Sequence, residues 1–300
     1  MTTIQSAPEK SDVLEETIKL RADENWTLAA TLFSPARSAS LEAPVILISG
    51  AAAVPHGFYS AFARHLVING AAAVLTYDYR GMGASSGDHS RWPELRMKHW
   101  ALLDMPAAMD FLSMRFPNHP LCGLGHSYGG QALGLLEHSQ KFSRYATVAT
   151  ISGYWRLLDE PFGVWFKTQI VGTIIAKLLG RIPKWVGLGD EMPGRIFLDW
   201  ARWVGNEAYF FDDPDLPQTE RYANVTLPLL SIGLEDDVWG TPQAVDGVMK
   251  NYVNAQLHQH WIKPTQSGKI GHLGYFRQRH KQDHWSVVTD FLLREKLPKT

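Results

Sequence analysis

The chain has 300 residues, enough for one large α/β domain or a domain carrying an insertion. Hydrophobic residues make up 45% and charged residues 20%, the balance of a folded globular enzyme rather than a disordered chain. The 29 basic and 30 acidic side chains leave a net charge of −1, which gives no electrostatic footing for nucleic acid, and the single cysteine, Cys122, excludes an internal disulfide.

Residues 1–15 read as a polar, flexible N-terminal arm without the apolar centre of a signal peptide. No run of about 18 uncharged apolar residues follows, so no transmembrane helix is expected and a cytoplasmic protein is the default. "ETIKLRA" and "WTLAATLFSP" alternate as two strands around the polar turn "DEN". "PVILISG" (44–50) is a solid apolar run, the pattern of a strand buried on both faces. "YSAFARHLVING" has helical spacing. "AAAVLTYDYRGMGASSG" is a buried strand that breaks into a Gly/Ser-rich loop. "ELRMKHWALLDMPAAMDFLSMRF" is helical, with a kink or break expected at Pro106. "PLCGLGHS" is the next strand, "QALGLLEHSQ" the next helix, and "YATVATISG" a strand again.

This rhythm implies a parallel sheet covered on both faces. It stops near Tyr154. Residues 155–225 carry five of the eleven tryptophans and two helical patterns, "FKTQIVGTIIAKLL" and "RIFLDWARWVG". They read as a helical cap inserted between core segments 16–154 and 226–300. The alternation then resumes with strand "LPLLSIG", helix "TPQAVDGVMKNYVN", strand "QLHQHWI" and helix "DHWSVVTDFLLREKL".

Within "GLGHSYGG", Ser127 stands at a strand-to-helix joint, where open α/β sheets bind ligands. Gly125 and Gly129 let strand and helix approach closely. The plain alternative is a glycine-rich turn whose serine caps the helix. A serine nucleophile needs a base, and the base an orienting acid. Later strand ends supply both: "LEDDVWGTP", with Glu235, Asp236 and Asp237, then "SGKIGHLGYF", with His272.

On "GLGHSYGG", "YDYRGMGASSG", "GLEDDVWGTP" and "GHLGYF", the chain from about residue 16 onward resembles the α/β-hydrolase superfamily, in its capped serine-hydrolase branch with monoacylglycerol-lipase-like and serine-aminopeptidase-like proteins. The resemblance implies an α/β fold with a mostly parallel eight-stranded sheet, helices on both faces and a helical cap. It implies Ser127 as nucleophile and His272 as base. It puts the acid three residues past Gly233, at Asp236, with Asp237 and then Glu235 as alternatives. The oxyanion donors would be the N–H groups of Tyr128 and Ala51, with Ser49 standing where the family commonly has histidine. Asp78 and Arg80 would tie strand ends together.

Other histidines are weaker candidates. His258 and His260 lie within a strand. His280 and His284, at i, i+4 spacing, suit a metal pair, but a solvated helix start is the simpler reading. His126 should point away from the hydroxyl. No metal or organic cofactor is called for. Trp155, Trp165 and Trp239 are candidate walls of a substrate pocket. The expected partner is a small-molecule acyl substrate, and the expected reaction is hydrolysis of carboxylic esters of short to medium acyl chains. The alternatives are an aminopeptidase- or amidase-like hydrolase, with Asp159, Glu160, Asp190 or Glu191 holding an ammonium, and a non-catalytic binding module.

Overall fold

A computed structural model describes residues 12–298. The N-terminal arm of the sequence reading therefore falls largely outside the described residues. Where the description begins the chain enters a strand at once: β1 (Val13–Arg21) starts inside the stretch expected to be loose.

Eight strands form one sheet in the order β1, β2 (Thr27–Pro35), β4 (Ala73–Tyr77), β3 (Val45–Ser49), β5 (Leu121–His126), β6 (Arg144–Val148), β9 (Pro228–Leu234) and β10 (Gln256–Ile262). The first two junctions are antiparallel and the other five parallel. Every residue of β3, β4, β5 and β6 is buried. This is why their sequences are continuous apolar runs rather than alternations. One face is covered by α2 (Met105–Arg115), α3 (Tyr128–Leu133) and α7 (Pro242–Met249), whose Leu112, Leu133 and Val245 pack with Leu47, Leu75 and Leu229. The other is covered by α1 (Ser60–Ile68) and α8 (Lys281–Arg294), whose Phe62, Leu66, Trp285 and Val288 pack with Ile46, Val74 and Leu124.

Two helices depart from their sequence patterns for local reasons. Pro106 has no N–H to return to the preceding turn, and the turn before it, Trp100–Asp104, widens to π spacing. The helix expected over 131–140 is instead α3, which begins directly after Ser127 and stops before Gly134. The Tyr222 ring occupies the space a side chain at Gly134 would need.

Between β6 and β9 lie α4 (Pro161–Trp165), a π segment (Phe166–Gly172), α5 (Thr173–Leu179), a hairpin of β7 (Arg181–Ile182) and β8 (Met192–Pro193), and α6 (Gly194–Val204). The run Pro161–Leu179 is continuous and, by length and composition alone, apolar enough to cross a membrane, with mean hydropathy 1.2. Lys167 and Lys177 interrupt it, so it is not a run of uncharged apolar residues. Its Gly172 packs on the Phe197 ring of α6, while Phe162, Phe166, Ile170, Ile174 and Leu178, spaced four apart, are exposed.

Candidate active site

The strand-to-helix turn after β5 is tight because two glycines allow it. A Cβ on Gly125 would collide with the Gly130 amide, and one on Gly129 with the Ser49 carbonyl. Ser127 sits between them at φ 51°, ψ −110°, a backbone conformation that L-residues avoid. Its hydroxyl projects where Nε2 of His272 reaches Oγ at 3.0 Å. Nδ1 of His272 lies 2.7 Å from Oδ2 of Asp237, whose side chain is fully buried. Burial pushes the Asp237 carboxyl up, but the His272 imidazole and the amides of Trp239 and Gly240 outweigh that and hold it below the usual carboxylate range.

The acid facing the histidine is therefore Asp237 and not Asp236. Strand β9 runs one residue beyond Gly233, to Leu234, so counting from the glycine stops one position early. A turn closed by the Asp237 amide donating to Leu234 brings residue 237 back to the strand end. Asp236, at the corner of that turn, accepts from the amides of Ile270 (2.8 Å) and Gly271 (3.0 Å). It grips the loop that carries His272. Glu235 is exposed and pairs with Lys263.

His126, directly before Ser127, points away from its hydroxyl, and it is wired to both flanking loops. Its Nε2 lies 2.8 Å from the His272 carbonyl, which can only accept, so Nε2 carries the proton. Burial holds His126 down to a pKa of about 3, so the ring is neutral and Nδ1 must accept. The Tyr59 hydroxyl, 2.8 Å away, is then its donor, and the Tyr59 oxygen accepts the Ala51 amide at 2.8 Å. The Ala51 N–H is thereby engaged, which corrects the expectation that it stands free for an oxyanion. The next amide, Ala52, has no hydrogen-bond partner among the described residues, and Ala52 lines the same cavity. The Tyr128 N–H opens α3 and has no carbonyl within the helix to serve. Tyr59 and the Ala52 amide were not read from the sequence, because the contact that redirects Ala51 runs from the loop to the 3₁₀ turn His56–Tyr59 just before α1.

Ser127, Tyr128, Asp237, Trp239 and His272 open onto one cavity of about 300 Å³. Trp239 stands beside His272, ring centroids 5.4 Å apart. Trp155 and Trp165 do not reach it: they pack against each other and Phe162 on the cap. Val164 lines the cavity, and the next residue on the helix is turned about 100° away. Trp100 and Trp200 line it instead. Apart from Asp236 and Asp237, both bonded as described, the cavity lining has no carboxylate, and none of Asp159, Glu160, Asp190 and Glu191 faces it.

The remaining motifs are structural in their contacts. Asp78 accepts from the amides of His56 and Ala84, and Arg80 binds Asp104 and Asp23. His258 and His260 lie on the edge strand β10. His280 and His284 are buried rather than solvated, with rings 5.6 Å apart, and His280 bonds Ser267. No group of three His, Cys, Asp or Glu side chains suited to a metal ion occurs among the described residues. Cys122 is buried beside Arg144.

Residues 45–278 match a family model described as "Alpha/beta hydrolase family". No curated protein matches the sequence. Among solved structures, a soluble variant of monoglyceride lipase from Saccharomyces cerevisiae in complex with a substrate analog superposes with TM-score 0.66 at 14% identity, covering 99% of each chain. An esterase from Pyrococcus furiosus gives 0.59 at 16% identity, covering 97% of this chain and 95% of that one. Proline iminopeptidase from Mycobacterium smegmatis gives 0.55 at 16%, covering 92% and 97%. At such identities the likeness is one of fold.

Proposed function

The chain belongs to the alpha/beta hydrolase family, and from that premise we propose that it is a serine hydrolase acting on uncharged carboxylic esters of short to medium chain length. The observation that carries the reading is the relay from Ser127 Oγ through His272 to Asp237, with contacts of 3.0 and 2.7 Å. His272 takes the hydroxyl proton as Ser127 attacks the ester carbonyl carbon. Asp237 holds the imidazole in the tautomer that can accept at Nε2 and balances the imidazolium that forms. The proton passes to the leaving alcohol, and water activated by the same ring then releases the acid from Ser127. The Tyr128 amide donates to the oxyanion, and the unspent Ala52 amide is the second donor in place of Ala51. Each such donor typically contributes about 2.7–4 kcal/mol to the transition state. The chemistry is complete without a metal or organic cofactor.

The apolar cavity supports a neutral acyl or alkyl chain. It disfavours an aminopeptidase, which would need a free carboxylate near the site for the substrate ammonium. The test is stoichiometric labelling by an organophosphonate together with parallel rates on alkyl esters and aminoacyl anilides. Labelling of Ser127 with ester turnover is expected. Anilide turnover without ester turnover would overturn the substrate class, and an unlabelled Ser127 would overturn the mechanism.

A further inference from the structure

The cavity has a second polar feature, away from the relay. Gln131 lies one helical turn past Ser127 on α3, ~6 Å along the axis. It lines the cavity and is 3% exposed. Its carboxamide orientation follows from its bond: Nε2 lies 2.7 Å from the Ile151 carbonyl, so that end must be the nitrogen. Nε2 also reaches the Tyr209 hydroxyl at 3.5 Å. Oε1, at the other end, is buried and has no hydrogen-bond partner among the described residues. Buried acceptors left unpaired in this way are uncommon and costly.

Tyr209 completes the feature. It is buried, lines the cavity, and holds φ 57°, an unusual backbone conformation for a bulky side chain. Gly153, also on the cavity wall, admits its ring: a Cβ there would stand 3.0 Å from the ring edge. The hydroxyl oxygen accepts from Gln131, and no acceptor for its proton occurs among the described residues. An unspent acceptor and an unspent donor thus belong to two bonded neighbours that both line an otherwise apolar cavity.

We infer that Gln131 and Tyr209 form a subsite for a neutral hydroxyl carried on the substrate chain. A hydroxyl accepts from the Tyr209 O–H and donates to Gln131 Oε1, so one group satisfies both. A methyl in its place leaves both unpaired, and a site built to bond a hydroxyl rejects the analogue lacking it. Neither residue offers a charge to balance an ammonium or a carboxylate. This inference rests on the ester-hydrolase reading.

The test compares isosteric esters. Ethyl 6-hydroxyhexanoate against ethyl heptanoate places the hydroxyl or methyl on the acyl side; 6-hydroxyhexyl acetate against heptyl acetate places it on the alcohol side. One pair is expected to favour the hydroxyl about tenfold or more in kcat/KM. Gln131→Leu and, independently, Tyr209→Phe should each bring that ratio toward one, a readout indifferent to the absolute rate of either variant. Calorimetric binding of the same pairs to Ser127→Ala protein reads the preference without turnover, so loss of hydrolysis and loss of the subsite are told apart. Ratios near one in both pairs, by rate and by binding, would overturn the inference, as would a preference that persists undiminished in both variants.

Discussion

The body and the cap solve opposite problems with similar residues. In the body, apolar side chains are sealed between a sheet and its helices, and the side chains around Ser127 at the strand ends are bonded to one another or to loop amides. Ser127, His272, Asp237, Asp236, His126 and Tyr59 form one connected set of hydrogen bonds across four loops. In the cap, apolar side chains face both ways: Val164 toward the cavity, Phe162 and Leu178 outward at 76% and 77% exposure. The body fixes atoms to within the reach of a proton transfer. The cap supplies an apolar part of the cavity wall through Val164, Leu188, Met192, Ile196 and Trp200. Changes in the body should therefore alter whether chemistry occurs, and changes in the cap should alter which substrate undergoes it.

The sharpest way to break this division is at the relay. Ser127→Ala should reduce ester turnover by about 10⁴-fold or more while leaving the thermal midpoint close to that of the parent, since it removes a nucleophile and no packing. Asp237→Asn should cost about 10³–10⁴-fold, because the amide stabilises the wrong imidazole tautomer and carries no charge for the imidazolium. Asp236→Asn should cost only about tenfold, through a looser His272 loop: one amide oxygen can still accept from Ile270 or Gly271. Steady-state rates of the two variants side by side decide the assignment. Equal losses, or a larger one at position 236, would mean that the two carboxylates do not divide orienting and loop-holding as their contacts indicate.

How much of this could be read from the sequence followed the same division. Five of the eight strands, β3 through β6 and β9, were legible because burial on both faces leaves uninterrupted apolar runs, and β1 and β2 because their residues alternate around a polar turn. Ser127 and His272, the proposed nucleophile and base, were legible because both stand at strand ends in distinctive glycine-rich settings. The acid was misread by one residue because strand length past Gly233 depends on pairing with β10, which spacing does not encode. The Ala51 amide was misread because a tyrosine eight residues on competes for it. In the cap, tryptophan content suggested a pocket but not which faces line it. Trp155 and Trp165 pack on each other, while Trp200 on α6 and Trp100 in the π turn reach the cavity. That outcome depends on how helices are rotated against each other, and residue type alone does not specify rotation.

The cap variants carry intermediate expectations. Trp200→Ala enlarges the cavity wall and should shift the preferred acyl chain upward by several carbons, with a change of roughly three- to tenfold in relative kcat/KM between hexanoate and dodecanoate esters. Trp165→Ala should move that ratio less than about twofold, because its ring lies off the cavity. A panel of p-nitrophenyl esters measures both. If Trp165→Ala changes selectivity as much as Trp200→Ala does, the cap rearranges around substrate and its faces are not the fixed wall described here.

The smallest effect sharpens the account of the body through pH. His126 is buried and neutral, with its pKa held near 3 by burial, whereas an imidazole in the unfolded chain protonates near 6.5. Between those values the unfolded state binds a proton that the folded state refuses, so stability falls as pH falls, by at most about 1.4 kcal/mol per pH unit for this one site. Above about pH 6.5 the group contributes no pH dependence. His65 and His99, each held near 4 by burial, act in the same sense. Chemical unfolding of the parent between pH 7 and pH 5 should therefore show stability declining with acid, and His126→Asn should show a shallower decline, short by close to one proton. The depressed Asp237 carboxyl, whose contribution is lost only as pH falls through its own lower pKa, does not enter this window; Asp104, pushed up to about 7 by burial, does and opposes the decline, but it is one carboxyl against three imidazoles and is common to parent and variant. A variant whose slope matches the parent's would mean that His126 does not stay neutral in the fold. The proton order from the Ala51 amide through Tyr59 to the His272 carbonyl would then have to be redrawn, because that order depends on one protonated nitrogen and one bare one.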